Sequence, residues 1–579
     1  MFLRTVKARG GSGTTHEYIR LVEAYWEDSR SKQRVVLNLG RKDLLAPHLE
    51  DLVRIVQGRA KGTSAEEREA ACWGPMLVAR TLWRELGLEK ILDSCEKGRT
   101  RPERVSLADR ALVLVANRLS APSSEHGLAD WLETDFVCDR AGRRLLPKWK
   151  QRGRVRVDLS WLQRWYRTLD ELLEHKPRVE KELFARLRDL FSLETEMVFY
   201  DLTSTYFEGQ GPAEFALHGY SRDSKPRNRQ VLVGLVMVNG WPIAHHVFRG
   251  NLRDEKTVAG VLEDLERRFG LKRVVFVGDR GMVTTDNITL LKQRGQGYLV
   301  GLQRRRRKEI FRYIERAQGP WTECPMGITA QECSDPSKTF VQEVSSDEPG
   351  VRVFVVHSEE RLGYEQHMRE RSMERTRVAL EKLARRVEQG RLKAPEKIGE
   401  AAGRILSRNH GHRYYGWELQ DSGFRFFEHP VHLTREKAYE GKYIIQTEEQ
   451  HISSVQAVQA YKELSDVERG FREIKDVIEM RPIYHHKKER VQAHIFVAAL
   501  AFLVDRAIEK KLKAARVPMS TAQALKALRT LHVIDLTSAG MLDRGTSGGS
   551  SRARQVLAAL GVMDREPPKA PQKRRKTPT

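Results

Sequence analysis

Between residues 196 and 302, short apolar runs alternate with amphipathic segments. The apolar runs predict five strands, at 197–203, 230–238, 241–248, 273–278 and 297–302. Asn239-Gly240 separates the second run from the third and is typical of a two-residue hairpin turn. Apolar residues three and four apart at 255–269 and 285–293 predict helices before the fourth and fifth runs. The predicted order is three antiparallel strands, helix, strand, helix, strand.

This order predicts an α/β fold, a ribonuclease-H-like mixed sheet flanked by helices, in which the first and fourth strands are parallel neighbours. Each of these two strands leads into an acid: Asp201 follows the run 197–200, and Asp279 follows the run 274–278. Because the carboxyl ends of parallel neighbours lie at the same edge of a sheet, we expect Asp201 and Asp279 to lie close together.

A third acid, Glu468, lies in a helical stretch further along the chain. Tyr461, Glu468 and Lys475 are spaced by seven and seven, so they share one helix face that drifts only about 20° per heptad. Two interpretations of this polar face stay open, an exposed solvated helix or one wall of a cleft. Phe471 and Ile474 supply apolar contacts on the rest of the helix, which favours the cleft.

Changes in the pattern divide the chain into six segments. They are an N-terminal β-hairpin segment at 1–60, a helical DNA-binding domain at 61–190, the first part of the catalytic core at 191–303, an inserted domain with a charged helix (365–388) and β-like runs (424–427, 431–433, 443–446) at 304–450, the second part of the core at 451–512, and a C-terminal helical region with a basic disordered tail at 513–579. DNA binding by the helical domain is suggested by interleaved arginines, and a passive basic helical domain is the alternative. These arginines are Arg99, Arg101, Arg104, Arg152, Arg154 and Arg156.

The amino-acid composition restricts the kinds of partner and substrate that the protein can have. The chain has 102 Lys and Arg against 78 Asp and Glu, a net charge of +24 that favours a polyanionic partner such as nucleic acid. Three converging carboxylates would make a hard-oxygen site for divalent metal ions, so the expected substrate is a phosphodiester. Five cysteines without a Cys-x-x-Cys pair argue against a zinc finger or a disulfide framework, and no apolar segment approaches the roughly 20 residues needed to span a bilayer. We therefore expect a soluble cytoplasmic protein with no membrane partner.

Several motifs together resemble the DDE transposases of bacterial insertion sequences. The closest branch has a β-rich insertion in its ribonuclease-H-like core and the signature Tyr-x2-Arg-x3-Glu-x6-Lys, which this chain matches at Tyr461, Glu468 and Lys475. Leu464 stands where the signature has arginine, and Arg472, on the same helix face, is the candidate replacement. Further resemblance lies at 200–209, 218–223, 278–282 and 481–485.

The resemblance implies an enzyme that binds the ends of an insertion sequence, cleaves DNA and transfers the strand into a target, by a cut-and-paste route. Its catalytic residues would be Asp201, Asp279 and Glu468, which would hold two Mg²⁺ ions, with Mn²⁺ as a substitute. The candidate DNA-binding residues are Tyr461, Lys475, Arg472, Arg280, Arg304 and Arg305. The implied partners are double-stranded DNA, as terminal inverted repeats and target, and a second copy in a synaptic homodimer. The implied location is the bacterial cytoplasm, at the nucleoid.

Two alternatives stay open at this stage. A structure-specific nuclease on the same sheet would need neither the inserted domain nor the face of Tyr461, Glu468 and Lys475. A non-catalytic DNA-binding regulator of transposition would not need all three acids. His494 also has two interpretations, a residue near the cleft or a buried histidine with its hydrogen bonds satisfied.

Overall fold

The structure is a computed structural model that describes most of the chain. The described residues are 2–9, 15–27, 30–42, 67–96, 105–151, 154–158, 160–191, 197–271, 273–278, 284–302, 309–325, 338–408, 410–420, 423–538 and 541–568. At the N-terminus an antiparallel sheet is formed by β1 (Phe2–Arg9), β2 (Thr15–Glu27) and β3 (Arg30–Arg41), in that order. The β-hairpin predicted for this segment is confirmed as the antiparallel pair β2 and β3, and β1 is an additional strand.

A helical layer follows, as the pattern predicts for this part of the chain. Its elements are β4 (Glu67–Cys72), α1 (Gly74–Glu85), α2 (Leu88–Cys95), α3 (Leu107–Ser120), α4 (Leu128–Thr134), β5 (Lys148–Gln151), β6 (Arg154–Val157) and α5 (Trp161–Phe191). Helices α2, α3 and α5 pack together around a continuous apolar core. Of the arginines that suggested DNA binding, Arg99, Arg101, Arg104 and Arg152 lie outside the described residues.

The central sheet has the predicted order of elements. They are β7 (Met197–Tyr206), β8 (Gln230–Val238), β9 (Trp241–Arg249), α6 (Val258–Phe269), β10 (Val275–Gly278), α7 (Thr285–Gln293) and β11 (Gly297–Gly301). The strands lie in the order β9-β8-β7-β10-β11, and β7 runs parallel to β10. The ribonuclease-H-like α/β fold is therefore confirmed. Every residue of β8 is buried, and three helices, α5, Ser454–Asp476 and Lys488–Ala514, pack on the neighbouring strands β7 and β9. This burial explains the uninterrupted apolar run of β8.

The inserted segment extends this sheet rather than standing apart from it. Its elements are α8 (Glu309–Arg316), β12 (Thr322–Glu323), β13 (Thr339–Val344), β14 (Arg352–Ser358), α9 (Glu359–Glu388), α10 (Pro395–Arg408), β15 (Tyr415–Gln420), β16 (Gly423–Glu428), α11 (Pro430–Tyr439) and β17 (Lys442–Thr447). Beyond β11 the sheet continues as β17-β14-β13-β12, which gives nine strands among the described residues. The part that stands off the sheet, α9 to α11, has a small core of its own.

Two expectations for the insertion have different outcomes. The run 443–446 is confirmed as a strand, β17, but this strand belongs to the central sheet. The β-like interpretation of 431–433 is wrong, because these residues lie in helix α11. The His429 side chain accepts a hydrogen bond from the backbone of His432, and Pro430 follows at the first helical position, so the local sequence starts a helix.

The second part of the core consists of two helices, and strands follow them. The elements are α12 (Ser454–Asp476), α13 (Lys488–Ala514), α14 (Thr521–Leu528), β18 (His532–Ser538), β19 (Met541–Thr546) and α15 (Ser551–Ala559). Strand β18 pairs with β4 and with β19, so the C-terminal region closes onto the helical layer; the pattern did not predict these two strands.

The expectation that no apolar segment approaches the length of a membrane span is wrong for helix α13, which is long and apolar enough by length and composition alone. However, 89% of its most apolar window is buried inside the protein. It packs against α3, α5 and β9, and its buried residues belong to the main core. Its apolar character is explained by burial within the core.

Helices α12 and α13 meet closely at Gly470. A Cβ atom built on Gly470 would lie 2.7 Å from Cζ of Phe502 on α13. Next to this contact, the buried guanidinium of Arg506 on α13 lies 3.2 Å from the Glu473 carboxylate on α12. The absence of a side chain at Gly470 therefore lets α12 lie close to α13.

We expect Gly470→Ala to lower the free energy of unfolding by about 1–3 kcal/mol, because the added methyl group overpacks the contact with Phe502. Gly260→Ala is the matched control, since an added Cβ on this exposed residue of α6 meets nothing within 4 Å. The control should be stabilised by roughly 0.5–1 kcal/mol through its better helix propensity. Urea denaturation of both variants measures the difference. Equal stability of the two would mean that the helices are not in tight contact at Gly470.

Candidate active site

Asp201 lies on β7, an inner strand of the sheet. Its partner on β8 is Leu235, its side chain is half-buried, and its Oδ1 accepts a 2.7 Å hydrogen bond from the backbone N–H of Leu202. The sequence predicted that the strand would end at Thr203, but β7 continues to Tyr206. The backbone around this carboxylate is therefore held from both directions along the strand.

The parallel ladder between β7 and β10 ends beside Asp201. Gly278, the last residue of β10, is in register with Tyr200, so Asp201 is the next residue of β7 beyond that pair. Asp279 follows Gly278 in the chain and lies outside the described residues. Arg280, Arg304 and Arg305 lie outside them too.

Helix α12 carries Glu468 across the same strands. A capping box starts the helix, in which Ser453 and Gln456 exchange hydrogen bonds with each other's backbone N–H groups. The helix packs on β7, β10 and β11, and its Leu464 and Ile474 side chains are buried. Glu468 itself is exposed, as is Arg472 one turn later.

Tyr461 fixes the height of α12 above the sheet. A Cβ atom on Gly301 of β11 would lie 2.1 Å from the Tyr461 hydroxyl oxygen, so the phenol fills the space that a side chain at 301 would take. Seven residues separate Tyr461 from Glu468, which puts both on the same side of the helix. Both side chains line an open cleft of about 490 Å³ between α12 and the inserted segment. Two of the three residues of this polar face therefore form part of a cleft wall, whereas the third, Lys475, is buried in an ion pair with Asp223.

Comparison with known families agrees with this arrangement. The profile of the family described as Transposase DDE domain matches residues 194–504, more than half of the chain. The chain belongs to the DDE transposases. A second profile, described as IS1634 family transposase, N-terminal domain, matches residues 3–68. No curated protein matches the chain.

The protein is therefore an insertion-sequence transposase, an enzyme that cleaves and transfers DNA strands. Neither the nuclease nor the regulator alternative is favoured by these matches. DDE transposases generally use divalent metal ions. The carboxylates of Asp201 and Glu468 are the hard oxygen donors that such ions prefer, and both reach solvent at least in part, so the described residues fit this requirement.

In the transposase, Lys475 is buried in an ion pair at the end of α12. Its Nζ donates to Asp223 Oδ1 at 2.7 Å, and the Arg481 guanidinium donates to the same oxygen. The Asp223 side chain is only 3% exposed. Burial lowers the pKa of Lys475, and the contact with Asp223 opposes this shift. Asp223 is thus a structural partner of two cations, a role that its position in the sequence did not reveal, and a phosphate contact by Lys475 stays a prediction.

A second polar cluster is buried between the helical layer and α13. Glu125, His485 and His494 present three ligand atoms within 4.8 Å of one another, a set that metals can use. However, Nε2 of His494 lies 3.1 Å from the Met480 carbonyl, and Nδ1 lies 3.3 Å from Nη2 of Arg118. Since a guanidinium can only donate, Nδ1 is the acceptor, and a metal ion would have to displace a positive charge.

The cluster therefore acts as a hydrogen-bond network, and the interpretation of His494 as a satisfied buried histidine is confirmed. Burial, and after it the nearby positive charge of Arg118, lower the pKa of His494 to about 3. Burial alone would raise the pKa of Glu125, but the hydrogen bond and charge of His485 bring it down to about 2.

Both shifts predict that acid weakens the fold at this junction. The pKa of His494 is below its unfolded value of about 6.5, so its contribution to stability is present above that pH and is lost as the pH falls towards 3. Glu125 contributes in the same direction, but only below its unfolded pKa of about 4.5. Between about pH 6.5 and 4.5, His494 should thus lower the free energy of unfolding by up to about 1.4 kcal/mol for each unit by which the pH falls.

We expect His494→Gln to flatten the dependence of unfolding free energy on pH by up to about one proton in this range. Urea denaturation at a series of pH values measures the slope. His126→Gln is the control, because this exposed histidine adjoins Glu125 in the chain without being buried in the cluster. A slope that His494→Gln leaves unchanged would contradict a neutral buried imidazole.

Proposed function

We propose that Asp201, Asp279 and Glu468 form the catalytic centre of this transposase and hold two Mg²⁺ ions, for which Mn²⁺ substitutes. The observation that carries the proposal is the convergence of three elements. Strands β7 and β10 are parallel with Gly278 in register with Tyr200, and the helix that carries Glu468 packs on both strands. Asp279 directly follows Gly278 in the chain.

The metal ions would supply activation of the attacking water or 3′-hydroxyl and charge stabilisation at the leaving oxygen. The protein residues supply position. Asp201 is on an inner strand of the sheet and its carboxylate is oriented by the Leu202 N–H group. Tyr461, fitted against Gly301, keeps the face of α12 that carries Glu468 turned towards the cleft.

The DNA is held, in this proposal, along the cleft. Tyr461, on the cleft wall, and the exposed Arg472 would contact the backbone of the element end. Lys475 would contact a phosphate by exchanging part of its ion pair with Asp223. The remaining proposed contacts come from Arg280, Arg304, Arg305 and the helical domain at 61–190.

We further propose that the transposase acts in the bacterial cytoplasm, at the nucleoid, as a homodimer that holds two terminal inverted repeats and then the target DNA. Cut-and-paste movement is the route that membership of this family suggests, with the same centre used for cleavage and for joining. The net charge of +24 supports tight association with DNA.

Replacing a proposed metal ligand should abolish chemistry while sparing DNA binding. We expect Asp201→Asn, Asp279→Asn and Glu468→Gln each to reduce cleavage and joining of labelled element ends by more than about 100-fold, since even changes outside the direct ligands cost 10–100-fold. End binding should stay close to that of the unmodified protein. A chelator should stop the reaction, and added Mg²⁺ or Mn²⁺ should restore it.

Glu208→Gln is the matched control, because Glu208 is an exposed acid shortly after β7. This variant should cleave and join ends like the unmodified protein. Full activity of Asp201→Asn or Glu468→Gln would refute the assigned centre. Activity that a chelator does not affect would refute the metal requirement.

A further inference from the structure

The cleft beside Glu468 has two unlike walls. One wall is helix α12, which presents Tyr461, Leu464 and Glu468 on successive turns. The other wall comes from the inserted segment and includes Arg361, in the first turn of α9, and Tyr443, on β17. Two regions that are distant in sequence therefore face each other across the space next to the proposed catalytic acid.

The guanidinium of Arg361 is held in this cleft by two contacts. Its Cζ lies over the ring of Tyr443, 5.4 Å from the ring centre. Its Nε donates to Glu365 Oε1 at 2.9 Å, and the other oxygen of Glu365 accepts from the backbone N–H of Gly441 at 3.0 Å. The Arg361 side chain remains 32% exposed. Stacking on Tyr443 and the ion pair through Nε thus orient the guanidinium plane of Arg361. The hydrogen bond to Glu365 uses Nε and not the two terminal nitrogens.

On the facing wall, the described residues that line the cleft are Tyr461, Lys462, Leu464, Ser465 and Glu468, of which Lys462 is the cation. Leu464, four residues before Glu468, is apolar and only 4% exposed. Lys462 also lines the cleft, but its Nζ donates to Thr339 Oγ1 at 2.7 Å, and burial lowers its pKa. The ring of Tyr461 lies 5.7 Å from that of Tyr443, so the two tyrosines connect the walls at the base. Arg361 therefore brings an oriented positive charge to the cleft.

We propose that Arg361 binds a backbone phosphate of the DNA strand that runs through this cleft to Glu468. An oriented guanidinium is the side-chain group best suited to a phosphate, because its parallel N–H groups match two phosphate oxygens. This inference rests on the proposed function, since it takes Glu468 to mark the reacting phosphodiester. It assigns the inserted segment a direct part in DNA binding, as the opposite wall of the groove.

The proposal is tested with DNA that carries one element end, by fluorescence anisotropy over a range of salt concentrations. We expect Arg361→Ala to weaken binding at moderate salt by roughly tenfold or more, the value of one charge-assisted contact. The slope of log affinity against log salt should fall by about one, because one phosphate is no longer neutralised. Arg361→Lys keeps the charge without the planar fork, so its slope should be normal and its affinity intermediate.

Arg375→Ala is the matched control for loss of a positive charge. Arg375 is an exposed residue of the same helix, 14 residues further along and therefore about 21 Å from Arg361. This variant should bind like the unmodified protein. An equal loss of affinity in Arg375→Ala, or a weaker Arg361→Ala complex with an unchanged salt slope, would overturn the proposal, because the effect would then be general charge or a disturbed structure.

A rescue experiment tests the facing arrangement. In the Arg361→Ala background, Leu464→Arg would place a guanidinium on the other wall of the same cleft, and we expect it to recover the salt slope. Circular dichroism and thermal melting must show that this variant folds, because Leu464 is buried; if it does not, the comparison of Arg361→Ala with Arg375→Ala decides alone. If the unmodified protein binds and cleaves DNA but Arg361→Ala binds with normal affinity and a normal salt slope, only this inference is refuted. Unmodified protein that never cleaves refutes the proposed function instead.

Discussion

The position of helix α12 between the sheet and helix α13 is the constraint on which the site depends. Tyr461 fits against Gly301 on the sheet side, and Gly470 lets α13 approach at Phe502. These two contacts are nine residues apart, so they lie on nearly opposite sides of the helix. Glu468 follows Tyr461 by seven residues, so both lie on the same side of the helix. Packing of the opposite side at Gly470 therefore turns Glu468 towards the cleft. Buried ion pairs, such as that of Lys475 with Asp223, then hold the end of the helix in register.

The inserted segment completes the sheet as well as the cleft. Without it, β11 would be an edge strand, with unpaired backbone groups open to pairing with another chain. Strand β17 covers that edge, and β14 and β13 follow. The same return of the chain brings Tyr443 next to Tyr461, and α9 begins directly after β14, so the insertion adds side chains to the cleft where it joins the sheet. The small separate core lies further along the insertion, between the middle of α9, the end of α10 and the strands β15 and β16.

The pattern of apolar and polar residues predicted the structure correctly where residues close in sequence determine it. The hairpin at Asn239-Gly240 and the order of strands in 197–302 follow from turn chemistry and periodicity, and both are found. The run 431–433 was misassigned because three apolar and polar residues in alternation do not outweigh a capped start at His429 and Pro430. Strand β18 was missed because its partner, β4, lies more than 450 residues earlier in the chain, and short strands show little periodicity of their own.

For the site, the sequence by itself determined which residues can do chemistry: acids after apolar strands and a helix with Tyr461, Glu468 and Lys475 on one face. The tertiary structure alone decided what surrounds them. It pairs Lys475 with Asp223 across 252 residues, and it brings Arg361 opposite Leu464. The physical reason is that helix and strand periodicity is set by the backbone over a few residues, whereas ion pairs and cleft walls form between side chains that only the packed core brings together.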